Sequence, residues 1–329
     1  MTVLVTGGAG YIGSHMVHAL IDAGERVVVL DNLSTGFAWA VTRGATLVVA
    51  ESGDQERVAA LMADHRVDAV IHFAASIVVP DSVRHPLAYY RNNTINSRAL
   101  IETAVECGVR HFIFSSTAAV YGNPERVPVR EDDPTIPMSP YGRSKLMTEH
   151  MLEDTGTAHG LRYAILRYFN VAGADPLGRA GQSTKGATHL IKVAVETALA
   201  LRPKMSVFGT DYPTPDGTCI RDYIHVGDLV RAHSDALAYL RGGGESITLN
   251  CGYGRGFSVL EVIETVKRVS GVDFEVELAD RRPGDPAQIV AAADRARSVL
   301  KWHPQFDDLS TIVEHALAWE RKLQAAAPA

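Results

Sequence analysis

Short apolar runs recur through the first half of the chain, and each is followed by a longer stretch in which apolar residues return at helical spacing. The runs at residues 3–6, 26–30, 46–49, 69–73, 111–115 and 161–167 predict strands. The stretches between them predict helices over 11–23, from about 54, from about 85 to 107 and from about 141. Gly24 is placed to end the first helix, because glycine accepts the left-handed turn that closes one. The strand runs are continuously apolar, as in RVVVL at 26–30, rather than alternating. A strand of that kind is buried on both faces, the condition of a parallel sheet with helices on either side. Strand–helix alternation with right-handed crossovers then gives an α/β fold, a doubly wound parallel sheet of Rossmann type.

Past Asn170 the rhythm changes. Residues 172–186 are rich in glycine and include Pro176, a helical stretch follows, and prolines return at 212–215 and in RRPGDP at 281–286. Residues 1–169 are therefore expected to form the Rossmann-type unit, with a return of the chain to it around 223–253. Residues 170–329 are expected to be mainly a smaller C-terminal α/β substrate lobe. There is no internal repeat or low-complexity tract, and the terminal Ala327-Pro328-Ala329 is expected to fray.

Composition narrows the chemistry. Hydrophobic residues make up 46% and charged residues 21% of the 329, with a net charge of −6. Such a balance offers no long-range attraction to nucleic acid or to an anionic membrane. Cys107, Cys219 and Cys251 are far apart and form no CxxC pair, so they read as buried thiols in a reducing compartment. His15 and His18 are spaced i, i+3 on the first helix without a third ligand nearby, and no metal site is expected. No apolar run approaches the ~18–20 residues of a membrane span, and strand-like residues begin at Thr2, which leaves no signal peptide. The cytoplasm is the expected location.

Two motifs carry chemistry. Thr6-Gly7-Gly8-Ala9-Gly10-Tyr11-Ile12-Gly13 joins the first strand to the first helix, with Gly7, Gly10 and Gly13 spaced GxxGxxG. Glycine permits the tight turn and the close approach of backbone to a pyrophosphate, and the helix that follows presents free N–H groups and a positive dipole end. A glycine motif alone is weak; strand before and helix after make it a dinucleotide cradle. Asp31 closes the second strand, where a carboxylate accepts hydrogen bonds from the adenine ribose hydroxyls and repels a 2′-phosphate, favouring NAD over NADP. Tyr141 and Lys145 form a YxxxK pair on one helix face. A free tyrosine has a pKa of about 10, so a base working at neutral pH needs ~4 kcal/mol of preferential phenolate stabilisation. A neighbouring ammonium and a positive nicotinamide ring can supply it. Ser115, Ser116 and Thr117 are expected just past the fifth strand, where such sheets bind ligands. Thr117 is the favoured hydroxyl for sharing a substrate proton; Ser116 serves equally well as a cap or turn residue.

Together these residues resemble the extended short-chain dehydrogenase/reductase family, and within it the UDP-glucose 4-epimerases. The likeness runs through nearly the whole chain: TGGAGYIGSH at 6–15, LDNL at 30–33, HFAA at 72–75, YYRNN at 89–93, FSSTAAVYG at 114–122 and SPYGRSK at 139–145. It continues with LRYFN at 166–170, VFGTDY at 207–212, RDYIHV at 221–226 and RRPGD at 281–285. The resemblance implies that Gly7, Gly10, Tyr11, Ile12 and Gly13 hold the pyrophosphate of NAD. It implies that Asp31, Asn32 and the Ser34-Thr35-Gly36 turn hold the adenosine ribose, and that Asp54 and Gln55 flank the adenine. Phe73, Ala74, Ala75, Asn92 and Ser115 would line the cofactor. Phe169, Asn170, His189 and Leu190 would meet the sugar nucleotide, and Val207, Phe208, Arg221, Arg282 and Asp285 its uridine and diphosphate. Ile289 falls at a position that gates the sugar pocket.

The implied reaction has no net redox change. Tyr141 takes the proton of the sugar 4-hydroxyl with Thr117 as relay, hydride leaves C4 for NAD, and the resulting 4-keto sugar turns and takes the hydride back on its other face. Lys145 stabilises the phenolate and holds the nicotinamide ribose. Related dehydratases resemble this chain but carry Asp-Glu after the active-site Thr, where this sequence has Ala118 and Ala119, and alanine cannot transfer a proton. Decarboxylases of nucleotide sugars likewise place an acid there. A non-catalytic NAD-binding protein on the same fold would have little need of Tyr141 with Lys145. Two departures stand out: Ile77 replaces a lysine common in relatives, and His189 replaces an asparagine near the diphosphate. Relatives pair through two long helices per subunit, which the stretches at 85–107 and 141–159 match, so a homodimer is expected. Glucose/galactose, their N-acetyl forms, pentoses and uronates all stay open as the sugar.

Overall fold

Val3, Leu4 and Val5 are all fully buried, although successive side chains of a strand point to opposite faces. Both faces of this strand are covered, as its unbroken apolar run requires. The computed structural model describes residues 1–184, 186–282 and 284–326. Pro283 of the RRPGDP turn and the terminal 327–329 lie outside the described residues. In chain order the strands are β1 (Thr2–Thr6), β2 (Arg26–Asp31), β3 (Thr46–Val49), β4 (Ala69–His72), β5 (His111–Thr117), β6 (Arg162–Tyr168), β7 (Asn170–Ala172), β8 (Met205–Phe208), β9 (Ile220–His225), β10 (Ile247–Cys251), β11 (Gly256–Ser258), β12 (Val276–Ala279) and β13 (Gln288–Ile289). The α-helices are α1 (Tyr11–Asp22), α2 (Gln55–His65), α3 (Val79–Arg84), α4 (Pro86–Tyr89), α5 (Asn96–Glu106), α6 (Pro140–His159), α7 (Leu190–Ala198), α8 (Val226–Arg241), α9 (Val259–Ser270), α10 (Asp294–Leu300) and α11 (Leu309–Ala326).

Seven strands form one sheet in the order β10-β6-β5-β4-β1-β2-β3, with every neighbouring pair parallel. The alternation of side chains divides the core in two. Val3, Val5, Val27, Val29 and Ile71 pack on the face covered by α1 and α8. Leu4, Val28, Leu30, Val70, Phe112 and Phe114 pack on the other, with Leu61 of α2, Leu100 of α5 and Leu152 of α6. Each such side chain contributes about 1.5–3 kcal/mol when fully buried. Strand order reverses between β1 and β4, and this switch point opens a crevice at the carboxyl ends of the strands.

Past β6, β9 becomes the centre of a small sheet, antiparallel to β11 and parallel to β13 and β7. β8 and β12 make a separate parallel pair. α8 then lies against α1, and β10 adds to the large sheet beside β6.

Three local expectations are corrected. β5 extends through Thr117, which pairs with Tyr168, so Ser115, Ser116 and Thr117 end the strand instead of following it. The helix expected over 85–107 starts earlier and is broken. α3 precedes it, Pro86 opens α4 where its missing N–H costs nothing, and Tyr90–Ile95 is a π-helical turn leading into α5. Cys107, at the end of α5, is exposed, whereas Cys219 and Cys251 are buried.

Candidate active site

The glycine loop is tight because two stretches of backbone touch. Gly7 adopts φ +72°, and a Cβ at Gly13 would lie 2.1 Å from the Gly7 carbonyl oxygen. Gly10 stands at the N-cap of α1, which has no side-chain cap and no acidic residue in its first turn. Asp54, Ser139 and Ser258, by contrast, cap α2, α6 and α9 with their side chains. The first donors of α1 are left for an anion. Asp31 is buried beside this loop: one carboxylate oxygen accepts the Ala9 N–H at 2.9 Å and the other the Leu33 N–H at 2.8 Å. Asn32 accepts the Ser34 N–H at 3.0 Å and donates to Glu51 at 3.0 Å, shaping the exposed Ser34-Thr35 turn. Gly36 packs on Ala9, where a Cβ would come within 2.8 Å of backbone.

Asp54 and Asn92 line one open cleft with Glu51, Arg57, Arg91 and Asn96. The Asp54 carboxylate caps α2 by accepting the Arg57 N–H at 3.2 Å, and Gln55 is drawn aside to Glu102 at 2.8 Å. Phe73, Ala74 and Ala75 follow β4; the Phe73 N–H donates to Thr6 at 3.0 Å, and a Cβ on Gly7 would meet the Ala74 nitrogen at 2.6 Å. Asn92 donates to the Ser76 hydroxyl at 3.0 Å. Its neighbour Asn93, which sequence reasoning passed over, is the firmer tether. It accepts the Ser76 N–H at 2.8 Å and donates to Ser144, between Tyr141 and Lys145, at 3.0 Å. Ile77, where a lysine was expected, is exposed on this loop.

Ser139 caps α6 by accepting the Gly142 N–H at 3.1 Å, and Pro140 fits the first turn. The helix then buries Tyr141, Ser144, Lys145, Thr148, Glu149 and Leu152, one stripe at spacings of three and four. The Lys145 ammonium nitrogen donates to the Ser115 carbonyl at 2.9 Å and lies 4.7 Å from the centre of the Phe114 ring. Burial pushes the Tyr141 phenol well above its usual range, Tyr168 adds to the rise, and a hydrogen bond with Thr117 opposes it. Burial pulls Lys145 down to about 7, against the attraction of Glu149. The Thr117 hydroxyl also accepts the Ala119 N–H at 3.1 Å. The Ser115 hydroxyl is buried beside Tyr168, whose phenol burial pushes up and Ser115 draws back.

Behind this face lies a polar cluster that the motif reading missed. Glu149 is fully buried and receives a guanidinium fork from Arg167, with Arg167 Nη2 at 2.6 Å. Arg167 in turn donates to the Tyr121 hydroxyl at 3.0 Å, and Tyr121 donates to Asn250 at 2.7 Å. A signal for Glu149 was present: it stands four residues after Lys145 and eight after Tyr141, on the same helix face.

The second lobe gathers the remaining candidates in three groups. Asn170, His189 and Leu190 line one cavity with Gln182, Lys192 and Tyr223, and Phe169 is buried just before it. Gln182 donates its amide to His189 Nδ1 at 2.8 Å, which leaves the proton of the neutral ring on Nε2. Burial lowers the His189 pKa and so favours this neutral form. The Arg282 guanidinium stacks 4.1 Å from the Phe208 ring centre and lies 3.8 Å from Asp285. Arg221 stands in register with Ile289, which is buried. Val207 departs from expectation: strand alternation turns its side chain into the core, which leaves only its backbone for a ligand. Tyr11 ties this lobe to the glycine loop, its hydroxyl donating to the Gly173 carbonyl at 2.7 Å.

Residues 3–252 match the family model described as the NAD dependent epimerase/dehydratase family. The chain is 61% identical over 322 residues to the UDP-glucose 4-epimerase of Azospirillum brasilense, covering 98% of this chain and 92% of that one. Its structure is similar to that of the UDP-glucose 4-epimerase from Brucella ovis in complex with NAD, with TM-score 0.94, 44% identity and coverage of 96% and 97%. It is similar also to the enzyme from Bifidobacterium longum in complex with NAD+ and UDP, with TM-score 0.94, 34% identity and coverage of 99% and 100%.

Proposed function

Because this chain belongs to the NAD-dependent epimerase/dehydratase family, we propose that it is an isomerase that interconverts UDP-glucose and UDP-galactose through a transient 4-keto sugar. The observation that carries this reading is the end of β5: Thr117 meets Tyr141, while Ala118 and Ala119 follow with no group able to move a proton. A dehydratase needs an acid and a base at such a place.

The residues fit NAD. A Cβ would fill the cradle at Gly7 and Gly13, and Asp31 stands at the ribose end. When bound, NAD supplies a hydride acceptor that becomes the donor. The protein does the rest. The Tyr141 phenolic oxygen takes the 4-hydroxyl proton and gives it back, Thr117 shares that proton, and Lys145 favours the phenolate by its charge. Arg221 and Arg282 offer planar forks suited to the diphosphate, with Phe208 as a platform for the uracil ring. Asn170 and His189 hold the sugar nucleotide between the lobes.

Incubation of the pure protein with UDP-galactose, without added cofactor, should yield UDP-glucose at unchanged mass and no lasting NADH. A product lighter by one water would overturn the reading in favour of a dehydratase. Turnover of another UDP-sugar alone would shift the substrate, with Ile289 the first residue to vary.

The reading extends to assembly. Val83, Leu87 and Ile95 are exposed on the helical stretch that packs against α6, and Met147 is exposed on α6 itself. This apolar face suits pairing with a second copy. Leu87→Asp alters a side chain that is 80% exposed, so the fold should persist. Sedimentation should show a dimer for the parent and a monomer for the variant. The proposed setting is the cytoplasm, which suits three unbridged cysteines; no helix among the described residues is long and apolar enough to cross a membrane.

A further inference from the structure

We propose that Glu149 is a positioning residue of this active site, a buried carboxylate that holds the charge on Lys145 and fixes the end of β5 around Thr117; the assignment rests on the reaction proposed above. Glu149 is fully buried and sits one helical turn beyond Lys145 on the same face of α6. Its Oε1 accepts from the Ser116 hydroxyl and from Arg167 Nε at 3.1 Å. Its Oε2 accepts from Arg167 Nε at 3.1 Å and from Nη2 at 2.6 Å. Ser116 lies between Ser115, whose carbonyl receives Lys145, and Thr117, which meets Tyr141. One carboxylate therefore grips the strand that carries the proton relay and the helix that carries the base.

The charges around Lys145 give Glu149 a second task. Tyr141 and Glu149 face it from α6, and Arg167 approaches from β6 through Glu149. His72 faces it from β4, but burial and the lysine itself depress that imidazole to about 3, so it stays neutral. β5 contributes the Ser115 carbonyl and the Phe114 ring. Glu149 is the one carboxylate among the described residues that opposes the desolvation of Lys145. A buried ion pair is weak evidence of stabilisation by itself, because desolvation offsets much of the attraction. Here the Glu149 carboxylate, held by Arg167, stands one helical turn from Lys145 and attracts its ammonium.

The test replaces Glu149 by Gln, which keeps size and loses charge, and by Asp, which keeps charge and draws it back by one methylene. Two readouts are taken. The first is the protonation midpoint of Lys145, from the pH dependence of its acetylation by acetic anhydride read by mass spectrometry. The second is the pH profile of kcat and KM for UDP-galactose. In Glu149→Gln the lysine midpoint should fall by about one pH unit or more, the range of a lost opposite charge at close quarters. The alkaline limb of kcat should move down with it, while KM stays near the parent value. Glu149→Asp should fall part of the way, and it carries the test if the Gln variant does not fold. An unchanged lysine midpoint in the variants that fold overturns the assignment and leaves Glu149 a structural residue. Absence of epimerisation by the parent would instead strike the proposed reaction, since the lysine titration needs no turnover.

Discussion

Tyr141→Phe is expected to lower kcat by about 10²–10⁴-fold, the usual weight of a positioned acid–base group. The substitution removes one oxygen and keeps the ring that fills the buried stripe of α6. What is lost is the atom that Thr117 favours as phenolate and that takes the substrate proton in the proposed reaction. The electrostatics explain why the loss should be large. Burial drives Tyr141 up and Lys145 down to about 7, which inverts the order of two groups that ordinarily titrate near each other. A cation beside the phenol is needed to restore the phenolate, and Lys145 with the positive ring of bound NAD can serve. No other tyrosine lies on that stripe to take over the task. Purified variant and parent should be compared for turnover of UDP-galactose, NAD content and melting temperature. Retained NAD and an unchanged melt with lost turnover support the assignment; turnover near the parental rate would assign the proton to another group.

Gly13→Ala should produce the second largest change, by a steric route. The new Cβ would stand 2.1 Å from the Gly7 carbonyl oxygen and 2.8 Å from the Gly8 Cα, distances that backbone cannot accommodate without moving. Gly7 is itself packed against Ala74, so the loop has nowhere to retreat. Overpacking of this kind costs about 1–3 kcal/mol of stability. The same displacement pulls the loop away from the donors at the start of α1, and NAD retention should fall by about tenfold or more, equivalent to ~1.4 kcal/mol. The checks are the NAD-to-protein ratio after gel filtration and the melting temperature. A variant that keeps its NAD and its melt would mean that the loop does not cradle the pyrophosphate.

Much of this architecture was legible because local and global demands agree. RVVVL at 26–30 could only be a strand covered on both sides, and the glycine spacing fell between a strand and a helix. Tyr141 and Lys145 could be paired because a helix repeats every turn. The illegible parts depend on partners distant in sequence. The π-helical turn at Tyr90–Ile95 has no compositional mark, and it places Asn93 where it can reach Ser76 and Ser144. α3 is only six residues long, too short for a helical period to show, and it carries Pro80 in its first turn, where proline is welcome. Glu149 resembles any solvated charge on an amphipathic helix until Arg167, eighteen residues later, is brought across to it. Val207 sits in a matching motif, but only the pleat decides which neighbour faces outward.

The late arrival of β10 bears on how this protein can be made and remade. A ribosome must release the chain through residue 251 before the large sheet gains its outermost strand, and α8 must emerge before α1 is covered. A nascent chain ending near residue 169 leaves β6 as a raw edge, whose unpaired backbone invites strands from other molecules. Chimaeras between relatives inherit the same constraint. A single crossover after β6 would join a sheet from one parent to a closing strand from the other, so exchanging the second lobe takes three junctions, one after β6 and one on each side of the segment 226–251.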